Sequence, residues 1–186
     1  NGLPRRWFGY DSADVVLLLT GDRNFITEVL NDHQVNKDAS AYAALAEWVA
    51  RTEMLPAEQQ VEQVTAKLRQ LNPEFIDRVY PTIENGVVVR FMVFVNKVTD
   101  ISPIRALKEL KHLSVRSGNK ERALLFDLDP IRDLKLEFLE CGGTSVAELT
   151  ALSGTSIRVL SCWGTWVRDL TPVRGLPIFF IDCRSS

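Results

Sequence analysis

Three cysteines, Cys141, Cys162 and Cys183, recur at intervals of 21 residues with the same neighbours each time. Leu136-x-x-Leu139-x-Cys141 is followed by Ile157-x-x-Leu160-x-Cys162 and by Ile178-x-x-Ile181-x-Cys183. After the first two cysteines comes x-Gly-Thr-x-Val-x-x-Leu, written once from Gly143 to Leu149 and again from Gly164 to Leu170. A fixed period of this length, with apolar residues at constant offsets, is the pattern of units that bury one face against the next unit, and the chain is expected to stack into a solenoid.

The period continues upstream. Val88-x-x-Phe91-x-Val93-x-x-Asn96-x-Val98-x-x-Ile101-x-x-Ile104-x-x-Leu107 leads into Leu110-x-x-Leu113-x-Val115, a step of 22 residues. From Leu110 to Leu136 the step is 26, because extra residues lie between Arg116 and Leu124. Arrays of this kind accept such insertions as loops on one edge.

Alternation about Leu139 and Cys141 puts these two side chains on one face of a short strand, with Phe138, Glu140 and Gly142 on the other. Further on, Asp100-Ile101-Ser102-Pro103-Ile104-Arg105 returns as Asp127 to Arg132, Glu148 to Ser153 and Asp169 to Arg174. Ser102, Asp129, Thr150 and Thr171 are residue types that cap helix starts, and three of them precede a proline suited to the first helical position. Each repeat is therefore expected to turn from strand into a short helix or 3₁₀ turn behind the sheet.

From Val87 to Cys183 the pattern resembles the leucine-rich repeat family in its short form of about 22 residues. The chain departs from that family's consensus in several places. Cys replaces the third Leu, Thr144 and Thr165 stand where Asn is usual, Ala123 takes that position in the inserted repeat, and Ala151 replaces Pro. The resemblance implies an α/β solenoid with a parallel β-sheet on its concave face and an N-terminal helical cap. A second likeness lies between Trp48 and Phe75, in Leu55-Pro56-Ala57-Glu58-Gln59-Gln60-Val61 and Leu71-Asn72-Pro73-Glu74-Phe75. This stretch is similar to the repeat-bearing accessory region of large bacterial Ser/Thr protein kinases. It implies a non-catalytic protein–protein interaction module serving a larger signalling protein.

Before the repeats, residues 40–86 read as a helical hairpin and lead-in. Ser40 to Thr52 places Tyr42, Leu45, Trp48 and Val49 on one helical face, with Ser40 as its cap. Pro56 to Leu71 places Val61, Val64, Leu68 and Leu71 on another, and Asn72-Pro73 stops it. Such a hairpin is expected to cover the first repeat. Asn85-Gly86 signals a turn before a strand from Val87 to Val95, with an edge strand around Tyr80 and Ile83. Residues 1–39 are an uncertain segment, with an aromatic cluster at Trp7, Phe8 and Tyr10, an apolar run Val15 to Leu19 and a short helix from Asn24 to Leu30. Residues 87–186 hold about four and a half repeats. A start at Asn1 and a stop just past a fifth strand are expected of a piece of a longer protein.

Composition narrows the functional classes. With 22 basic against 24 acidic residues and a net charge of -2, the chain offers no field to attract nucleic acid or an anionic membrane. Its longest apolar run, Val15 to Leu19, is far below the roughly 20 residues of a membrane span. The three cysteines occupy the slot that Val93 and Val115 fill in earlier copies, so a buried stack of unpaired thiols is expected. Such thiols favour a reducing, cytoplasmic setting. No metal and no cofactor is implied.

Catalytic motifs are missing as well. A kinase needs a Gly-rich phosphate loop, a strand Lys, His-Arg-Asp and Asp-Phe-Gly, and none occurs. His33 and His112 are the only histidines. Period 2 directs His112 away from the core thiols, so a Cys–His nucleophile pair is not expected. An enzyme in residues 1–40 would have to use Asp11, Asp14 and Asp22, isolated carboxylates whose commoner role is in loops and caps. A spacer with no ligand is the remaining alternative.

What is left is the solvent side of the strands. Outward offsets give one row of Arg90, His112, Phe138, Val159 and Phe180. A second holds Met92, Ser114, Glu140, Ser161 and Asp182, and a third holds Phe94, Arg116, Gly142, Trp163 and Arg184. Phe138, Val159, Phe180 and Trp163 form an apolar patch, with Glu140, Arg116 and Arg184 around it, and Trp166 can extend its edge. Aromatics rimmed by charge are how protein-binding surfaces anchor partners, and a protein partner is expected here.

Overall fold

A computed structural model of the chain describes residues 35–76 and 78–186. Two compact units divide the chain, residues 1–47 and 48–186. The aromatic cluster, the run Val15 to Leu19, the helix at Asn24 to Leu30, Asp11, Asp14, Asp22 and His33 all lie outside the described residues.

Helix α1 spans Val35–Thr52 and helix α2 spans Ala57–Leu71. Helix α1 begins ahead of Ser40, so Ser40 is interior and caps nothing. Pro56 occupies the residue just before α2, and the Gln60 amide donates to the Leu55 carbonyl at 2.8 Å, closing the turn between the helices. Val64 and Leu68 on α2 are fully buried, and Trp48 and Val49 at the end of α1 pack beside them on the core of the second unit.

Asn85 and Gly86 both adopt positive φ, at 51° and 77°, the geometry of a tight hairpin turn. They join β1 (Val79–Glu84) to β2 (Val87–Phe94) in an antiparallel pair. From β2 onward every pairing is parallel: β3 (His112–Arg116), β4 (Phe138–Glu140), β5 (Val159–Ser161) and β6 (Phe180–Asp182) follow in strict sequence order. Behind the sheet run 3₁₀ turns at Ser102–Ala106, Asp129–Ile131, Thr150–Leu152 and Thr171–Val173.

The register turns the sequence offsets into columns. Phe91, Leu113, Leu139, Leu160 and Ile181 sit side by side, and all but Ile181 are buried. Burying an aliphatic side chain of this size is worth about 1.5–3 kcal/mol before ordering entropy is counted. Ile181 is 39% exposed because, among the described residues, no further strand lies beside β6. Val93, Val115, Cys141 and Cys162 are buried in the next slot, and Cys183 is exposed for the same reason as Ile181. The expected stack of three thiols thus holds two of them inside.

The turn chemistry differs from expectation in one respect. None of the four 3₁₀ turns has a side-chain cap at its first residue. Instead the carboxylates of Asp100, Asp127 and Asp169 accept the backbone N–H two residues on, from Ser102, Asp129 and Thr171, at 2.8, 2.8 and 2.7 Å. These are Asx turns, which use the same residue types as caps but start two positions earlier. At the remaining turn, Thr150–Leu152, the corresponding residue is Glu148, whose longer side chain makes no such bond.

Thr144 and Thr165 take a definite structural role. Both are buried, and their hydroxyls donate to the carbonyls of Cys141 at 2.6 Å and Cys162 at 2.7 Å. The turn that leaves each strand is therefore held from within.

Candidate functional site

The ladder aligns the outward residues as well. Arg90, His112, Phe138, Val159 and Phe180 are consecutive partners across five strands, and Met92, Ser114, Glu140, Ser161 and Asp182 are the next set. Phe94 pairs with Arg116, and the row continues past the strands through Gly142, Trp163 and Arg184. The N–H of Ser117 reaches Gly142, that of Gly143 reaches Trp163, and that of Gly164 reaches Arg184. All seven residues singled out from the sequence, Phe138, Val159, Phe180, Trp163, Glu140, Arg116 and Arg184, lie on this one face of the sheet.

Within the first row the rings of His112 and Phe138 stack, with centroids 5.7 Å apart and planes inclined by 26°. Partial burial pushes the His112 imidazole below its ordinary pKa, and the positive Arg90 beside it adds to the effect. His112 is thereby favoured as a neutral ring. Phe180 at the other end is 52% exposed.

The second row carries its own charge balance. Glu140 accepts the Ser114 hydroxyl at 2.6 Å and faces the Arg116 guanidinium at 3.4 Å. Asp182 is gripped by Arg184 through Nε at 2.9 Å and Nη2 at 2.8 Å, which holds its carboxyl below the usual carboxylate range. Both pairs are at least partly open to water, so they set direction and charge more than stability.

The third row is built of slabs. Arg116 lies over the Phe94 ring at 5.4 Å, and Tyr80 from β1 meets the same ring edge-on at 6.1 Å. Trp163 lies across the preceding turn, where a Cβ on Gly142 would come within 2.2 Å of the indole Nε1. Its packing therefore depends on a glycine one repeat earlier. Trp163 is part wall and part scaffold, whereas the sequence alone made it a free surface residue.

Arg122, in the inserted loop, is the residue that sequence reading passed over. Its guanidinium stacks on the Trp166 ring at 4.1 Å, and it donates to the carbonyls of Thr144 and Gly164. One arginine thus spans two later repeats. The signal available was the position of a long cation in an insertion, which fixes nothing until the loop's path is known. Trp166 itself stands on the flank beyond the turn, 50% exposed, rather than in the three rows.

Burial pushes the Cys141 thiol well above its ordinary pKa, and the same cause pushes Cys162 up to about 11. Neither is poised as a nucleophile. Among the described residues, no cluster of three or more His, Cys, Asp or Glu is arranged to hold a metal ion, and no helix is long and apolar enough to cross a membrane.

Short parallel strands in sequence order, with β2 to β5 each followed by a 3₁₀ segment behind the sheet, define the class: an α/β solenoid with the leucine-rich-repeat fold. Solved structures similar to it include the internalin InlF of Listeria monocytogenes, 20% identical, covering 70% of this chain and 39% of that one with a TM-score of 0.49. Internalin C2 of the same organism is also similar, at 20% identity, 47% of this chain, 39% of that one and a TM-score of 0.42. The chain thus spans about 39% of the length of each of these internalins. Neither a protein-family model nor a curated protein sequence matches it.

Proposed function

We propose that the chain is a protein-interaction module whose partner binds the open face of the parallel sheet, with Phe138, Val159, Phe180 and Trp163 as apolar anchors and Glu140, Arg116 and Arg184 at their margin. The observation that carries this reading is the column of Phe138, Val159 and Phe180, brought side by side by the register and directed away from the core. Nothing in the solenoid's interior needs apolar side chains there. Aromatics in such positions supply most of the energy in protein interfaces, about 2 kcal/mol or more each when truncated. The role of accessory region in a larger bacterial signalling protein, such as a Ser/Thr kinase, belongs to the same proposal. It is supported by the resemblance of residues 48–75, while the chain itself carries no kinase motif.

The test is a pull-down with the Phe138→Ser/Phe180→Ser variant beside the parent protein. Both side chains are directed away from the core, so the variant should unfold within a few degrees of the parent and lose its captured partner. Trp163 is left out of that variant, because its contact with Gly142 makes it structural as well. Retained capture by a folded variant would sink the reading.

A further inference from the structure

We infer that the loop inserted after β3 is a strap, and that Arg122 at its end keeps β5 and β6 from opening away from β4 as a separate unit.

In a plain array each repeat touches only its neighbours, so the ladder can part at any one boundary and the terminal repeats open first. Strands β4, β5 and β6 are only three residues each, so the ladder alone resists such parting weakly. Across the β4–β5 boundary the N–H groups of Cys141 and Gly143 donate to the Ser161 and Trp163 carbonyls, both at 2.8 Å. Across the β5–β6 boundary the Cys162 N–H donates to the Asp182 carbonyl at 2.7 Å.

Arg122 adds contacts that skip a repeat. Residues 116–122 lie between Val115 and Ala123, where only Gly142 and Gly143 lie between the corresponding Cys141 and Thr144. The extra chain gives the guanidinium its reach. Its Nη1 donates to the Thr144 carbonyl of the next repeat at 3.2 Å and to the Gly164 carbonyl of the repeat after that at 2.5 Å. In that same farther repeat its Cζ sits 4.1 Å from the centre of the Trp166 ring.

The near end of the loop is fastened as well. Asn96, from the β2 repeat, donates to Asn119 Oδ1 at 2.7 Å and to the Ser117 hydroxyl oxygen at 3.1 Å, and it accepts the Gly118 N–H at 3.0 Å. The Ser117 hydroxyl in turn donates to the Glu121 carbonyl at 2.6 Å. The backbone under Arg122 is thus already ordered, and only the side chain has to be fixed for the far contacts to form.

These contacts act at one boundary. Parting β4 from β5 breaks the Gly164 bond and the Trp166 stack along with the ladder, whereas parting β5 from β6 breaks neither. The same boundary runs between Phe138 and Val159 in the outward row, so the strap fixes the spacing of these two residues whether or not a partner binds there.

Amide hydrogen exchange followed by NMR under native conditions tests the strap. The Cys141 and Gly143 N–H groups report the β4–β5 boundary, and the Cys162 N–H reports the β5–β6 boundary. In Arg122→Ala the first two should exchange about tenfold faster, the effect of losing a charge-assisted hydrogen bond and an exposed cation–π contact, while the Cys162 N–H keeps its parent rate. Trp166→Ala should act in the same direction, and the double variant should fall short of the product of the single effects, because the stack is lost only once. Both side chains are exposed, and thermal melts confirm that the variants are folded. Arg122→Lys, which keeps the charge but loses the planar fork, replaces the alanine variant if that one does not fold. Unchanged exchange at Cys141 and Gly143, equal acceleration at all three amides, or single effects that multiply in full would each overturn the strap.

Discussion

Asn72 closes a two-way hydrogen bond with the backbone of Asp100: its Nδ2 donates to the Asp100 carbonyl at 2.8 Å, and its Oδ1 accepts the Asp100 N–H at 3.1 Å. The same carboxamide donates to the Leu68 carbonyl and accepts the Thr99 N–H, both at 2.9 Å. It is 3% exposed. One side chain thus ends helix α2 and ties it to the loop that follows β2, which fixes where the first repeat starts relative to the helix covering it.

Replacing Asn72 by Ala removes the partners of the Thr99 and Asp100 N–H groups and of the Asp100 carbonyl, while the Leu68 carbonyl keeps its bond from the residue 72 N–H, and should lower unfolding free energy by about 2 kcal/mol. Asn72→Asp is the sharper variant. It keeps the acceptors but directs a carboxylate at two carbonyl oxygens, so at neutral pH it should be at least as damaging as Ala. Urea titrations of the three proteins check this; an Asp variant as stable as the parent would show that the donated bonds contribute nothing.

His112 gives a pH signature. Its pKa in the folded protein is lowered by burial first and by Arg90 second, so below pH 6.5 the unfolded chain binds a proton that the folded one resists. This contribution to stability is complete above pH 6.5, falls as pH drops from there to the folded-state pKa, and changes no further below it. By NMR the His112 ring should titrate below 6.5, and Arg90→Gln should move its midpoint upward. A midpoint at or above 6.5 in the parent protein contradicts the packing described for the His112–Phe138 pair.

How much of this was legible in the chain depends on the distance over which each feature is decided. The columns of Leu139 and Leu160, and the outward row through Phe138 and Val159, follow from period alone, because a stack of near-identical units leaves register no freedom. The Asx turns at Asp100, Asp127 and Asp169 were visible as residues but were assigned two positions late, since caps and Asx turns share a vocabulary. Asn72 read as a helix stop because its partners at Thr99 and Asp100 lie far along the chain. Arg122 and the Trp163–Gly142 contact were not legible at all. Each depends on how a loop of one repeat lies over a turn of another, which no local pattern encodes.

The cysteines should separate by reactivity. Cys141 and Cys162 are fully buried, with thiols held protonated by burial, while Cys183 is exposed. At pH 8 a disulfide reagent such as DTNB should titrate one thiol quickly in the native protein and the other two only on unfolding. Cys183→Ser should remove the fast phase and nothing else. Two fast thiols would mean that β5 and β6 open far more readily than their ladder implies.

The last prediction concerns Gly142 and Trp163. A methyl group on Gly142 meets the indole of Trp163 at 2.2, 2.3 and 2.7 Å, contacts that no side chain tolerates, so the ring must leave its place. Overpacking of this kind costs about 1–3 kcal/mol. Gly142 is not among the residues with positive φ, so the penalty is steric and not one of backbone strain. It should therefore vanish when the ring is gone: in a Trp163→Ala background, Gly142→Ala should be neutral or stabilising by up to about 1 kcal/mol through the stiffer unfolded chain. A double-mutant cycle read by urea denaturation should give a coupling above about 1 kcal/mol. Additive effects of the two changes would place the indole elsewhere, and would make Trp163 a surface side chain with no packing role over Gly142.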